Sequence, residues 1–137
     1  MNHKELDAMP DGRQVWKSSM LLAEMVYKQT TDFPKHEQFG ITSQIRRAAV
    51  SVPANTCLPA GRSLKGFARK GNKEFIQFLY IALGSLSELE TLFLISEKIG
   101  YIDNEQKDEV LILITDCLKL IHGLIKYLKA NTNPPNN

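Results

Sequence analysis

The sequence predicts an all-α fold, an antiparallel up-down four-helix bundle. Apolar residues recur at helical spacing along the chain, and no segment shows the period-two alternation of a half-buried strand. Two long segments repeat apolar residues at steps of four and three, as helices of a bundle do. The 137 residues, 23% of them charged, fit one soluble domain. We expect a flexible arm over residues 1–11, the bundle over 12–130 and a disordered tail over 131–137.

The first helix is predicted from Gly12 to Thr31. Its apolar residues at steps of four, three and four form one stripe, which we expect to face the core: Trp16, Met20, Ala23 and Tyr27. Pro34 ends the helix, because the residue before a proline is pushed out of the α region.

The second helix is predicted from Thr42 to Thr56, with Thr42 or Ser43 capping its first turn. Its periodicity places Ile45, Ala48 and Val52 toward the core, so we expect Arg46 and Arg47 to point away from the core. Pro53 removes one backbone hydrogen bond and should bend the last turn.

The third helix is predicted from Asn72, a good N-cap, to Lys98. Its core stripe comprises Phe75, Leu79, Ala82, Leu86, Leu89 and Phe93. Gly84 lies in mid-helix, where glycine costs about 1 kcal/mol relative to alanine. We expect the close approach of another helix to compensate for that cost.

The fourth helix is predicted from Asn104 to Ala130 and follows a short turn, so it should pack antiparallel to the third. Its core stripe comprises Val110, Ile114, Cys117, Ile121, Leu124 and Leu128. Five further apolar residues lie off that stripe: Leu111, Leu113, Leu118, Leu120 and Ile125. A helix apolar on more than one side favours burial on both, so we expect a homo-oligomer held by apolar positions of the third and fourth helices beyond the bundle core.

The charge distribution is uneven. Between Gln38 and Lys73 there is no acidic residue, whereas seven basic ones occur: Arg46, Arg47, Arg62, Lys65, Arg69, Lys70 and Lys73. Such a block favours a polyanion, RNA or DNA, as partner, and these seven residues are the candidate nucleic-acid contacts. Two alternatives stay open: a solvated basic loop, and a structural protein–protein interaction module in which Arg46 and Arg47 pair with Glu88 or Glu90 across the bundle or the subunit interface.

Nothing in the sequence predicts an enzyme, a cofactor or a metal site. Glu88 and Glu90 diverge on their helix, and the three histidines are scattered. Cys57 and Cys117 lack metal-ligand spacing and are interpreted as reduced thiols, consistent with the cytoplasm. No uninterrupted apolar run reaches the length of a membrane span, so no membrane partner is expected. Aromatic residues interleaved with the basic ones are few, with only Phe67 between Arg62 and Lys73, so base stacking is not strongly indicated.

Several separated motifs occur in an order typical of one family. They are the Trp16 helix, Phe33-Pro34 followed by Glu37-x-Phe39-Gly40-Ile41-Thr42, Gln44-Ile45-Arg46-Arg47-Ala48 with Ser51 and Asn55, Phe75 through Glu90, and Gly100-Tyr101-Ile102. In these the chain resembles the four-helix-bundle proteins encoded in intervening sequences of bacterial 23S ribosomal RNA genes. The resemblance implies a ring, with a homopentamer favoured, and a positively charged face. A related branch is similar to the accessory protein of diversity-generating retroelements, which binds nucleic acid and the reverse transcriptase.

One segment departs from the family pattern. The family passes from its asparagine into a Phe-x-Arg motif through a short stretch, whereas a longer connection separates Asn55 from Gly66-Phe67-Ala68-Arg69 here. Pro59 and Gly61 lie within it. We therefore expect an inserted, exposed loop over about residues 56–66, which costs little because loop-closure entropy grows slowly with length.

Overall fold

The computed structural model describes residues 12–57 and 69–132. Four α-helices make up this part of the chain: α1 (Gly12–Thr30), α2 (Ile41–Thr56), α3 (Arg69–Lys98) and α4 (Asn104–Thr132). A 3₁₀ helix, Lys35–Glu37, precedes α2, and the described residues contain no strand. The all-α prediction is therefore confirmed. The predicted arm, nearly all of the inserted loop and residues 133–137 lie outside the described ranges.

Polar contacts show that α1 and α2 run in opposite directions. The Thr56 hydroxyl at the end of α2 donates to the Ser19 hydroxyl in the first half of α1, at 3.3 Å. At the other end of the pair, Nε of Arg46 donates to Oγ1 of Thr30, at 3.0 Å. The start of α2 therefore lies beside the end of α1.

The pair α3 and α4 is antiparallel in the same way. Lys129 near the end of α4 donates to the Tyr80 hydroxyl in the first half of α3, at 2.7 Å. Lys107 in the first turn of α4 forms an ion pair with Glu97 at the end of α3, at 3.2 Å.

The pairing of α1 with α4 closes the bundle. The Gln29 amide at the end of α1 donates to the Glu109 carboxylate near the start of α4, at 3.1 Å. Because α1 opposes both α2 and α4, and α3 opposes α4, the packed helices α2 and α3 also run antiparallel. The result is the four-helix up-down bundle that the sequence predicts.

The core includes the stripes predicted for the last three helices. All six predicted residues of α3 and all six of α4 are buried, as are Ile45, Ala48 and Val52 of α2. By length and composition alone, Gly71–Lys98 could cross a membrane. Its buried stripe packs against the other helices of the bundle.

The predicted core face of α1 is wrong at three of its four residues. Trp16, Met20 and Tyr27 are 37%, 46% and 43% exposed, whereas Ala23 is buried as predicted. The buried stripe is Val15, Ser19, Leu22 and Val26. Ser19 is the cause, because its hydroxyl donates to the Val15 carbonyl at 2.8 Å and so enters the core satisfied. A pattern that counts only apolar residues misses such a position.

The predicted N-caps of α2 and α3 are also wrong, and so is the predicted close approach of another helix at Gly84. The N-cap of α2 is Gly40, with no side-chain cap bond. Asn72 lies inside α3, which begins at Arg69, and is buried with its Oδ1 unpartnered among the described residues. No described atom approaches within 4 Å of a Cβ added at Gly84, so no helix comes close there. By contrast, α2 ends at Thr56 as predicted, with Pro53 inside the helix.

The five apolar residues of α4 that lie off the predicted stripe fall into two groups. Ile125 belongs to the core, whereas the four leucines off the stripe are half-buried and pack against the core edge: Leu111, Leu113, Leu118 and Leu120. A wide core face therefore accounts for much of the surplus.

A reciprocal cap starts α4. The Gln106 amide N–H donates to Oδ1 of Asp103 at 2.8 Å, and the Asp103 N–H donates to Oε1 of Gln106 at 3.0 Å. We expect Asp103→Ala to lower the free energy of unfolding by about 1 kcal/mol, because an exposed amide at the helix start loses its acceptor. Urea denaturation measures this loss, with the exposed Asp116→Ala as the control expected to change little. Equal losses in both variants would contradict a capping role.

Candidate nucleic-acid interface

An open groove of about 750 Å³ lies where the end of α1 meets the start of α2. Its lining combines aromatic, basic and hydroxyl side chains, including Tyr27, Phe39, Thr42, Ser43, Arg46 and Arg47. Three parts of the chain supply them: α1, the segment before α2, and the outward side of α2. The inward side of α2 holds Ile45, Ala48 and Val52 in the core, so the helix periodicity itself turns both arginines away from it.

Arg46 is held in one position by α1. Its guanidinium carbon lies 4.7 Å from the centre of the Tyr27 ring, within the range of a cation–π contact. Its Nε donates to Oγ1 of Thr30, which in turn donates to the Val26 carbonyl at 2.9 Å. These contacts fix the guanidinium group before any ligand binds, and they use only one of its nitrogens.

No described carboxylate forms an ion pair with the groove arginines. Within residues 12–57 and 69–132, the ion pairs are Lys28 with Glu24 and Lys107 with Glu97 and Asp108. The proposed alternative, in which Arg46 or Arg47 pairs with Glu88 or Glu90, is therefore not formed inside this part of the chain. Arg47 is exposed on the groove wall.

Phe39 is the residue that the sequence interpretation missed. Its side chain is 91% exposed, although it lines the groove beside Arg46 and Arg47. A signal was present in the sequence, because Phe39 belongs to none of the predicted core stripes and precedes a glycine. Phe39 is not a single scattered apolar residue, because exposed Tyr27 and Val50 line the same groove, and contiguous exposed apolar patches mark binding sites.

The segment that carries Phe39 is anchored to the rest of the bundle. The Gly40 N–H donates to the Glu37 carbonyl at 2.9 Å, and the Tyr101 hydroxyl donates to the Glu37 carboxylate at 2.8 Å. That bond and the nearby negative charge raise the pKa of Tyr101. The Tyr101 ring in turn lies 5.3 Å from that of buried Phe33. Phe39 therefore projects from a supported turn.

The first turn of α2 adds hydrogen-bond donors to the groove. The first backbone bond of the helix runs from the Gln44 N–H to the Gly40 carbonyl. The preceding amides of Ile41, Thr42 and Ser43 donate to no described residue. Thr42 is 8% exposed, and its hydroxyl also lacks a described partner. Helix N-termini with free amides favour anions such as phosphate.

The far wall of the groove is fixed by a small polar network. The Ser85 hydroxyl of α3 donates to the Ser51 hydroxyl at 2.7 Å. The Asn55 amide donates to both the carbonyl and the hydroxyl of Ser51, at 2.7 and 3.1 Å. This network joins α2 to α3 at the level of the groove.

The other candidate residues do not join Arg46 and Arg47. Arg47 lies four residues before Ser51, and Lys73 lies twelve before the contacting Ser85 on an antiparallel helix. At 1.5 Å per residue, roughly 24 Å along the bundle axis separates the exposed Lys73 from Arg47. The backbone of Arg69 and Lys70 lies in the first turn of α3, close to Lys73 in sequence. Arg62 and Lys65 lie outside the described residues.

Comparisons with known proteins agree with the fold. The family model described as 23S rRNA-intervening sequence protein matches residues 12–123. A solved structure from Bacteroides thetaiotaomicron, a protein with unknown function from the S23 ribosomal protein family, is similar with a TM-score of 0.62. The two chains are 24% identical, and the similarity covers 82% of this chain and 98% of that one. No curated protein matches the sequence. Neither description names a catalytic activity.

Proposed function

Because the chain belongs to the 23S rRNA-intervening sequence protein family, we propose that it is a non-catalytic protein that binds RNA or DNA through the groove between α1 and α2. One observation carries this proposal. Two arginines line a groove together with an exposed aromatic ring and free helix amides, and no described carboxylate pairs with either arginine. Guanidinium groups bind phosphate oxygens in bidentate fashion, so this lining suits a phosphate backbone.

We further propose that the chain assembles into a homo-oligomeric ring, with a pentamer favoured. Apolar side chains are exposed on two separate surfaces. One is the stripe Trp16, Met20 and Tyr27 of α1, and the other comprises Phe78 and Ile81 of α3. A ring pairs two different surfaces of neighbouring copies, which two such patches would supply. Repetition of the groove around a ring would raise the avidity for a long polyanion.

The alternative is a structural interaction module that binds a protein, for example a polymerase or reverse transcriptase, without contacting nucleic acid. The exposed apolar stripe of α1 favours it, because such stripes mark protein interfaces. The dependence of binding on salt separates the two hypotheses. Contacts with phosphate weaken steeply as salt is added, whereas contacts between apolar surfaces do not.

We expect Arg47→Ala to weaken binding to RNA and DNA oligomers and to reduce the slope of log affinity against log salt by about one unit per site. Arg47 is exposed, so its loss should change the free energy of unfolding by less than about 0.5 kcal/mol. Fluorescence anisotropy at two or more salt concentrations measures the slope. The matched control is Lys119→Ala, which removes the same charge from an exposed position of α4.

A triple variant, Arg69→Ala with Lys70→Ala and Lys73→Ala, tests the other end of the bundle. An equal loss of slope in this variant and in Arg47→Ala would extend the interface along α2 and α3. Absence of salt-sensitive binding by the intact oligomer would reject the proposed function and favour the interaction module.

A further inference from the structure

We infer that the groove takes single-stranded nucleic acid, with an unpaired base stacked on Phe39 and the adjacent phosphate held by Arg46, Arg47 and the first turn of α2. This inference rests on the proposed function and names its ligand class. It is carried by the position of Phe39, whose ring is almost fully exposed on a supported turn beside two fixed or accessible guanidinium groups.

An exposed phenyl ring is costly in water and gains by stacking. Phe39 contributes nothing to the core, since its side chain is 91% exposed. A base has an apolar face of similar size, and stacking between bases and aromatic side chains is a main source of affinity for single strands. The turn is anchored through Glu37 and Tyr101, so the ring loses little freedom on binding.

The phosphate contacts lie next to this ring. Gly40 separates Phe39 from Ile41, the first residue of α2, and the amides of residues 41–43 donate to no described residue. The Thr42 hydroxyl at the same helix start is buried and has no described partner, while other atoms of Thr42 line the groove. Arg46 follows one helical turn later, with its guanidinium held over Tyr27. An anion beside the first turn of α2 would thus meet the two guanidinium groups, whereas the Glu37 carboxylate, which accepts from Tyr101, lies against Gly40 at the same helix start.

A duplex cannot use this arrangement fully. Its bases are stacked on one another, and exposing a base face requires unpairing, which costs a few kcal/mol. The arginines would still contact duplex phosphates, but Phe39 would find no free base. We therefore expect higher affinity for unpaired strands than for duplexes, and we expect Phe39 to be the source of the whole difference.

The test compares oligothymidine with a DNA duplex of the same length, using wild type and substitutions of Phe39. We expect Phe39→Ala and Phe39→Leu to weaken binding of oligothymidine by about 5- to 150-fold while leaving duplex binding unchanged. Phe39→Trp should retain the wild-type affinity, because indole stacks at least as well as phenyl. Tyr80→Ala, which removes an exposed ring of α3 outside the groove and outside both proposed assembly surfaces, should leave oligothymidine binding unchanged.

A spectroscopic measurement tests stacking directly. Trp16 is the one tryptophan of the chain, so a Trp16→Phe, Phe39→Trp variant carries a single indole at the groove. Oligothymidine should quench its fluorescence, and the duplex should not. If wild type binds both probes with salt dependence but all Phe39 variants bind alike, the single-strand inference fails and the proposed function stands. If wild type binds neither probe, both fail.

Discussion

A thiol reagent is expected to modify Cys57 of the folded protein readily at pH about 8, while Cys117 reacts on the order of a thousandfold more slowly. Cys57 is exposed after the last residue of α2, whereas Cys117 is 1% exposed within the core stripe of α4. Burial raises the pKa of Cys117 to about 11, and the neighbouring Ser19 hydroxyl lowers it only in part. At that pKa only about one thiol in a thousand is the reactive thiolate at pH 8.

The measurement is mass spectrometry of the folded protein after a short labelling pulse, with a urea-unfolded sample as the control. Both cysteines should be modified in urea. Rapid modification of Cys117 in the folded state would show that α4 opens or that its core stripe is misplaced. Cys57→Ser isolates the slow site and allows its rate to be followed alone.

The raised pKa also fixes the direction of a pH effect. The unfolded chain ionises its thiol near the ordinary cysteine pKa, below the folded value of about 11. The neutral thiol therefore favours the folded state fully below the unfolded pKa, and this contribution is lost as the pH rises through the folded value. A fall in stability across that alkaline range that is smaller in Cys117→Ala would identify the thiol as its source.

The long helices could be predicted from the sequence because one physical rule dominates them. All six predicted core residues of both α3 and α4 are buried, since a stripe at steps of three and four over several turns fits only one helical face. The turn between them was also readable, and its Gly100 adopts φ 85°, which favours glycine. Shorter helices are less constrained by their own pattern.

The errors in α1 and at two helix starts have a common cause. Ser19 and Asn72 are polar residues that tertiary packing buries, and no periodicity of apolar residues reveals them. Ser19 turns α1 so that Trp16 and Met20 lie outside, and the predicted N-cap Asn72 becomes an interior residue of α3. Local rules for caps and stripes give way where a neighbouring helix covers the site.

The sequence predicted the arginines of the candidate site but not its aromatic residues. The acid-free block pointed to Arg46 and Arg47, but sequence order could not show that Lys73 lies toward the far end of the bundle. Nor could it bring Tyr27 and Phe39 to the arginines, because they come from a preceding helix and turn. Proximity across the fold created the aromatic part of the groove.

The exposed stripe of α1 gives the prediction with the largest effect on assembly. We expect Met20→Lys to dissociate the proposed ring into smaller species while leaving the protomer folded. Met20 is 46% exposed in the single chain, so lysine is tolerated there, but the same charge buried against a neighbouring copy would lose its hydration. Gln14→Lys adds the same charge at an exposed position of α1 away from the stripe and should leave assembly intact.

Light scattering at micromolar concentration measures the mass, and circular dichroism measures the fold. Two half-buried leucines of α4 serve as the comparison with Met20. Leu113 and Leu120 pack against the core of their own protomer. Leu113→Lys and Leu120→Lys should therefore lower the stability of the protomer, whereas Met20→Lys should lower the mass of the assembly alone. A monomeric wild type would contradict the ring. A wild-type oligomer that survives Met20→Lys but not the leucine variants would place the interface on α4 instead of the α1 stripe.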